Sequence, residues 1–247
     1  MTVDLDLTVV GSINADITAI THRLPAAGET VGGGRLVHSP GGKGANQASA
    51  AARLGARTRM IGAVGSDAAG AAMTQALQSA GVGTDGIAVV DSGTGTALIM
   101  VDAAGENQIA VCEGANAHVS IAECEFGAQE TVLTQLEVSM DLITELSHTV
   151  PGRFVINAAP ALPLPAEVVE RADLIIVNES EYDLLPQLRD AFCAALTIAL
   201  AAGYSRQRSL AVANAVGAEA VMDPNAQPEF HRLEHYLQST TTTETTT

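Results

Sequence analysis

Gly41-Gly42-Lys43-Gly44-Ala45-Asn46-Gln47 stands about thirty residues after Gly11-Ser12-Ile13-Asn14-Ala15-Asp16, and the pair decides how the chain is read. The first segment follows Leu7-Thr8-Val9-Val10, an apolar run of the kind a fully buried parallel strand requires. Asn14 and Asp16 therefore fall just past a strand end, where open α/β sheets bind their ligands. An amide and a carboxylate two residues apart can serve sugar hydroxyls, and equally can serve a turn. The glycines of 41–44 allow backbone to approach a ligand closely. Lys43 adds a cation, and Asn46 opens a helix, where it can cap that helix or face the ligand. The segment is not a Walker A loop, because Val37 and Gly44 stand where that loop needs Gly and Ser/Thr.

Working outward, the chain alternates strand-like and helical stretches. Residues 15–38, broken by Pro25, Gly28 and Gly32-Gly33-Gly34, suit short strands and turns. Ala45 to Leu54 reads as a helix stopped by Gly55, and Arg59 to Val64 as a strand. Asp67 is placed to cap the Ala-rich helix that ends near Gly81. Leu98 to Asp102 and Gln108 to Cys112 flank a turn and read as a hairpin. Thr131 to Leu136, Phe154 to Asn157 and Leu174 to Asn178 are strand-like, with helical stretches between them. This rhythm predicts a mostly parallel sheet with helices on both faces. Beyond Glu181, Asp190 to Ala202 and Ser209 to Val221 are both helical with no strand between.

Composition bounds the function. The 247 residues are 47% hydrophobic, enough for one large domain with a real core. A formal charge of -16 repels nucleic acid and anionic lipid, so neither a nucleic-acid nor a membrane partner is expected. Backbone N–H nests can still hold a phosphate in an acidic protein. Cys112, Cys124 and Cys193 include no CxxC pair and read as reduced thiols. The N-terminus is acidic where a signal peptide is basic, and the apolar run Ala191 to Gly203 is too short to span a bilayer; a cytoplasmic location follows as the expectation. The Thr-rich end, 239–247, is expected to be disordered, leaving 1–238 as a single domain. Gly81-Val82-Gly83-Thr84-Asp85-Gly86 fits GxGxxG but follows a helix and precedes a strand, the reverse of a dinucleotide fingerprint. His231 and His235 stand at i, i+4 without an acidic third ligand, and no metal is assigned to them.

Taken together, the segments at 10–16, Pro25-Ala26-Ala27-Gly28-Glu29-Thr30 and 41–48 resemble the ribokinase branch of the PfkB carbohydrate kinase family in order and spacing. The likeness continues through Val64-Gly65-Ser66-Asp67, Gly105-Glu106-Asn107, Gly114-Ala115-Asn116-Ala117, Gln135-Leu136-Glu137, Asn157-Ala158-Ala159-Pro160-Ala161 and Asn178-Glu179-Ser180-Glu181, spanning residues 7 to about 183. It implies a Rossmann-type sheet flanked by helices, with a small β lid drawn from about 13–40 and 95–112. It implies a pentose held by Asn14, Asp16, Gly42, Lys43, Asn46 and Glu137, with ATP and Mg2+ as cofactors. Asn178 and Glu181 would place the phosphates, Glu181 on the metal side, since hard cations prefer oxygen ligands. Asn214, in Ala213-Asn214-Ala215, matches the adenine-side helix. A homodimer is also plausible on the resemblance.

The likeness has one departure. Family members carry Gly-Ala-Gly-Asp at a helix start, the Asp acting as general base and the preceding N–H groups as an anion hole. Gln187-Leu188-Arg189-Asp190 stands there, so Asp190 matches the base while the small residues before it are replaced. Only the eight residues 182–189 separate Glu181 from Asp190, whereas one βαβ crossover alone takes about 10–12. The expectation is an internal deletion that shortens the nucleotide-binding part and removes the monovalent-cation (K+) loop. Three readings remain open: a ribokinase-type enzyme making ribose 5-phosphate with Asp190 as base, a sugar-binding pseudokinase, and a damaged, poorly folded product.

Overall fold

The structure, a computed structural model, describes residues 5–160, 162, 164–176, 186–222 and 231–239. In chain order it contains β1 (Asp6–Val10), β2 (Asn14–Ile20), β3 (Arg35–Gly41), α1 (Lys43–Arg53), β4 (Arg57–Gly65), α2 (Ala68–Ser79), β5 (Gly83–Val90), β6 (Gly95–Val101) and β7 (Asn107–Cys112). A 3₁₀ turn at Gly114–His118 leads to β8 (Thr131–Gln135), α3 (Met140–Thr149), β9 (Arg153–Asn157), α4 (Ala166–Arg171), β10 (Leu174–Ile176), α5 (Pro186–Ala201), α6 (Arg206–Met222) and α7 (Leu233–Ser239).

The apolar run around residues 7–10 becomes the central strand of a six-stranded sheet ordered β10-β9-β8-β1-β4-β5, with every pairing parallel. Alternation along its strands sorts the core into two layers. Leu7, Val9, Met60, Leu133 and Val155 face one cluster that includes Ala48 and Ala51 of α1, Ile198 of α5, Val212 of α6 and Leu233 of α7. Val10, Ile61, Val132, Phe154 and Ile156 face a second cluster with Leu142, Ile143 and Leu146 of α3 and Val168 of α4. Truncating a wholly buried aromatic such as Phe154 to alanine removes about 3–5 kcal/mol from a core of this kind. Chain order runs from β1 outward to β4 and β5, then returns to β8, β9 and β10 on the other side. The direction of winding thus reverses beside β1, and the groove at the strands' carboxyl ends there is where such sheets take ligands.

A second, four-stranded sheet, β3-β2-β6-β7, rises from that rim. β2 and β6 leave it side by side and parallel, with Asn14 opposite Gly95, while β3 and β7 flank them antiparallel. Its strands come from the two stretches read as short strands and as a hairpin. Asp67 caps α2 as expected: one carboxylate oxygen accepts from Gly70 N–H at 2.7 Å and from the Thr94 hydroxyl at 2.6 Å, and the other accepts from Thr94 N–H at 2.9 Å. Gly55 ends α1 with φ 99°, a conformation that suits glycine.

Two expectations need correction. Helix α1 begins at Lys43, so Gly42 is its N-cap and Asn46 lies a full turn in. The Asn46 N–H bonds back to Gly42 O at 2.9 Å, an ordinary helical bond, and the residue does not cap. Helix α5 begins at Pro186 instead of Asp190. Proline is preorganised for the first helical position and Leu and Arg favour helix, so the turn closes four residues earlier than a glycine-rich start would allow. The strand end at Asn178, the loop at Ala226-Gln227-Pro228 and the tail from 240 lie outside the described residues.

Candidate active site

Three chain segments converge at the carboxyl edge of β1 and β8. Ser12 and Asn14 arrive from β1, Lys43 from the start of α1, and Glu137 two residues past β8. Close packing of backbone makes the convergence possible. A Cβ on Gly42 would sit 2.8 Å from Asn14 N and from Ser12 O, and one on Gly44 would sit 2.7 Å from Ser12 N. Gly42 also holds φ 88°, so both space and backbone conformation call for glycine there. Ala45 N–H then donates to Ser12 O at 2.9 Å and Gly44 N–H to Ser12 Oγ at 3.3 Å, fastening the start of α1 to the loop after β1.

Glu137 is the hub. Its Oε2 accepts from Ser12 Oγ at 2.5 Å and from Lys43 N–H at 3.0 Å, and the Lys43 ammonium stands 3.8 Å from Oε1. Both side chains are largely buried, 13% exposed for Lys43 and 19% for Glu137. The carboxylate therefore works at reduced dielectric, where charge-assisted hydrogen bonds are stronger and geometrically better defined than in water. Below this hub, Gln135 Nε2 donates to Gln47 Oε1 at 2.6 Å and ties β8 to α1.

A cavity of about 330 Å³ opens beside the hub. Ser12, Asn14, Asn116 and Glu137 supply polar groups, while Val111 of β7 and Leu162 close it with apolar surface. Pro160 also lines it, following the Asn157 strand end through a cis Ala159–Pro160 bond, and Ala159 O accepts from Leu136 N–H at 3.0 Å. A few convergent polar groups in a mostly apolar recess is the arrangement that orients a small polar ligand.

Of the expected pentose-binding residues, Asn14 and Glu137 line this cavity, Lys43 contacts Glu137, and Gly42 packs against the backbone of Ser12 and Asn14. Asp16 of β2 does not line it; its carboxylate lies so close to Gly41 that any Cβ there would overlap it. Asn46, half-buried on α1, does not line it either. Asn178 and Glu181 lie outside the described residues, as do the side chains of Asp190 on α5 and Asn214 on α6. Ser12 and Asn116 were not singled out from sequence. Ser12 was within the quoted Gly11–Asp16 stretch, and Asn116 within Gly114–Ala117, but their partners stand more than 100 residues away along the chain.

Among the described residues no group of three His, Cys, Asp or Glu side chains is placed to hold a metal ion, and no helix is long and apolar enough to cross a membrane. His231 and His235 stack on each other with ring centroids 4.2 Å apart.

Residues 4–188 match the profile of the pfkB family carbohydrate kinases. The chain is 38% identical over 195 residues to a ribokinase of Bacillus subtilis, covering 74% of this chain and 66% of that protein. Identity is also 38% over 188 residues with a ribokinase of Haemophilus influenzae, covering 72% and 61% respectively. It is 31% over 191 residues with a deoxyribokinase of Salmonella typhi, covering 73% and 62%. The chain thus spans just under two thirds of the length of these relatives. Among solved structures, Arabidopsis thaliana ribokinase complexed with ribose and ATP superposes with a TM-score of 0.80 at 23% identity, covering 95% of this chain and 98% of that one. Thermotoga maritima ribokinase gives 0.79 at 23% identity, covering 95% and 99%. At this identity the likeness establishes a common fold.

Proposed function

Since the chain belongs to the PfkB family of carbohydrate kinases, we propose that it is a ribokinase-type enzyme that transfers the γ-phosphoryl group of ATP to the 5-hydroxyl of D-ribose. The observation that carries this reading is the cavity at the reversal of winding, where Asn14 and Glu137 stand among apolar walls beside a fixed lysine. Ribokinases from two bacteria at 38% identity support the sugar and the reaction class.

In this reading Asn14, Asp16 and Asn46 hold sugar hydroxyls, and Gly42 lets the backbone come close to them. Glu137 accepts from a hydroxyl, with the Lys43 ammonium 3.8 Å from its other oxygen. The lid is the second sheet, whose Val111 already walls the cavity. Asp190, in the second turn of α5, takes the proton from the attacking hydroxyl. The N–H groups of a helix's first turn have no acceptor within it, and those of Gln187 and Leu188 shortly precede Asp190. They are suited to the charge that builds on the transferring phosphoryl group, helped by the positive end of the helix dipole. Asn178 and Glu181 offer the oxygen donors that Mg2+ prefers, and the metal would neutralise phosphate charge. Asn214 belongs to the adenine side. The short interval 182–189 supports loss of the K+ loop through an internal deletion.

A homodimer is part of the same reading. Leu36 and Leu98 are 59% and 47% exposed on one face of the second sheet, a surface that a second copy would cover. The exposed free thiol of Cys112 suits a reducing, cytoplasmic setting.

The test is ribose-dependent ADP formation from Mg-ATP by monodisperse protein, beside Asp190→Asn. Activity that drops about 10²–10⁴-fold in the variant supports Asp190 as the base. Folded protein that binds ribose yet forms no ADP would leave a pentose-binding protein without phosphoryl transfer.

A further inference from the structure

The amide of Asn14 has its orientation dictated from outside the cavity. Ile13 N–H donates to Asn116 Oδ1 at 2.9 Å. Only the oxygen of a side-chain amide can accept from an N–H, so this one backbone donor fixes which way Asn116 points. Its Nδ2 must then face Asn14, and it donates to Asn14 Oδ1 at 2.7 Å. Asn14 has thereby committed its oxygen. Its remaining polar group, the Nδ2 donor, makes no hydrogen bond among the described residues, and Asn14 lines the cavity. Both asparagines are 3% exposed, so the contact between their amides is shielded, and the Asn14 Nδ2 opens only towards the cavity. Gly95 leaves the room they occupy, since a Cβ there would overlap both Asn116 Nδ2 and Asn14 Oδ1.

We propose that Asn116 is a positioning residue that sets the polarity of the sugar site: through it, Asn14 presents a donor and never an acceptor, and the site selects a ligand carrying an accepting oxygen at that point. This rests on the reading of the cavity as a pentose site. A sugar hydroxyl both accepts and donates. With Asn14 held as donor, the hydroxyl it meets must turn its own proton elsewhere. A deoxy sugar lacking that hydroxyl leaves the Asn14 N–H buried and unpaired, the situation that discriminates most strongly against an analogue. Asn116 contributes no atom to the reaction. Its effect is on which pentose is accepted.

The test is calorimetric titration of wild type and Asn116→Asp with D-ribose and its 1-, 2- and 3-deoxy analogues. The introduced carboxylate still accepts from Ile13 N–H, but its second oxygen cannot donate. Asn14 must turn its Nδ2 towards it and its oxygen into the cavity. Ribose affinity is expected to fall about 10- to 100-fold. A hydroxyl can still donate to the turned oxygen, but the group that a deoxy analogue leaves unpaired is now an acceptor instead of a donor, so for one analogue the ratio of ribose to analogue affinity should change while the other two ratios stay level. A purely structural role would weaken all four sugars by a common factor, and unchanged ratios overturn the proposal. Should the aspartate variant not fold, Asn116→Ala frees Asn14 to turn either way, and the same ratio is expected to fall about 2- to 5-fold; an unchanged ratio again overturns the proposal. Wild type that binds no pentose overturns the sugar-site reading and this inference with it, whereas wild type that binds ribose with unaltered variant ratios overturns this inference alone.

Discussion

Gly42 is a residue whose replacement has two independent penalties. Its φ of 88° is a conformation that L residues rarely adopt, and a Cβ there would stand 2.8 Å from backbone atoms of Ser12 and Asn14. Strain of this sort costs about 1–3 kcal/mol, and the overlapping atoms are backbone, which cannot swing aside. Gly42→Ala should therefore lower unfolding stability by at least about 2 kcal/mol in urea titration and weaken ribose binding by more than tenfold. A variant with unchanged midpoint and affinity would show that the loop after β1 does not grip α1 as described. At this scale the sequence was partly legible. Asn14 and Glu137, which line the cavity, and Lys43, which contacts Glu137, each sit in a short motif at a strand or helix end and stand out through the family resemblance. Ser12 and Asn116 do not, because what matters about them is a partner brought close by folding: Glu137 for one, Asn14 for the other. Of the two roles the sequence allows Asn46, capping falls away, because a glycine-rich stretch conceals that the helix begins at Lys43.

Helix α2 and strand β6 meet through a single carboxylate. Asp67 caps the helix and also binds Thr94, whose hydroxyl accepts from Gly65 N–H at 3.0 Å, so the end of β4, the start of α2 and the approach to β6 share one junction. Asp67→Ala should cost about 1 kcal/mol, the usual loss for a helix N-cap. The hydrogen bonds from Thr94 and Gly70 hold the Asp67 carboxyl below its ordinary value of 3.8. A depressed acid contributes stability that is complete above that ordinary value and fades as pH falls through the lower folded one. The difference in melting temperature between wild type and Asp67→Ala should thus be constant at neutral pH and shrink below about pH 4. A gap that persists to lower pH would mean that packing and not the ionised carboxylate is responsible. Elements of this kind were the most legible part of the chain. Asp before an Ala-rich run is a cap signal, and 98–112 reads as a hairpin from its turn. The likeness of Asp190 to a helix-start motif points to a start four residues late, whereas Pro186, suited to the first helical position, marks the true one.

At the scale of the molecule, charge separates the two substrates of the proposed reaction. The formal charge of -16 opposes the approach of an anionic nucleotide and is indifferent to a neutral sugar. Raising ionic strength from about 0.01 to 0.15 M shortens the screening length from roughly 30 to 8 Å. The KM for ATP should then fall while that for ribose stays level. Equal salt dependence of both would mean that local positive groups near the nucleotide outweigh the net field. The sheet order was legible only as a class. Alternating strands and helices imply a parallel sheet, but the reversal of winding at β1 depends on long-range pairing with β8 that no local pattern encodes.

The second sheet is rooted where Asn14 and Gly95 lie side by side, and any swing of that sheet would turn about this root. Strands rise about 3.3 Å per residue, so Asp16 stands about 7 Å from the pivot and Ile20 about 20 Å. A rotation of roughly 10° about it would displace Ile20 by about 3.5 Å, Asp16 by little more than 1 Å, and Asn14 hardly at all. Lever length alone would then order the contacts in time: a ligand meets Asn14 in the open and closed molecule alike, and meets residues farther along β2 only after the sheet has swung in.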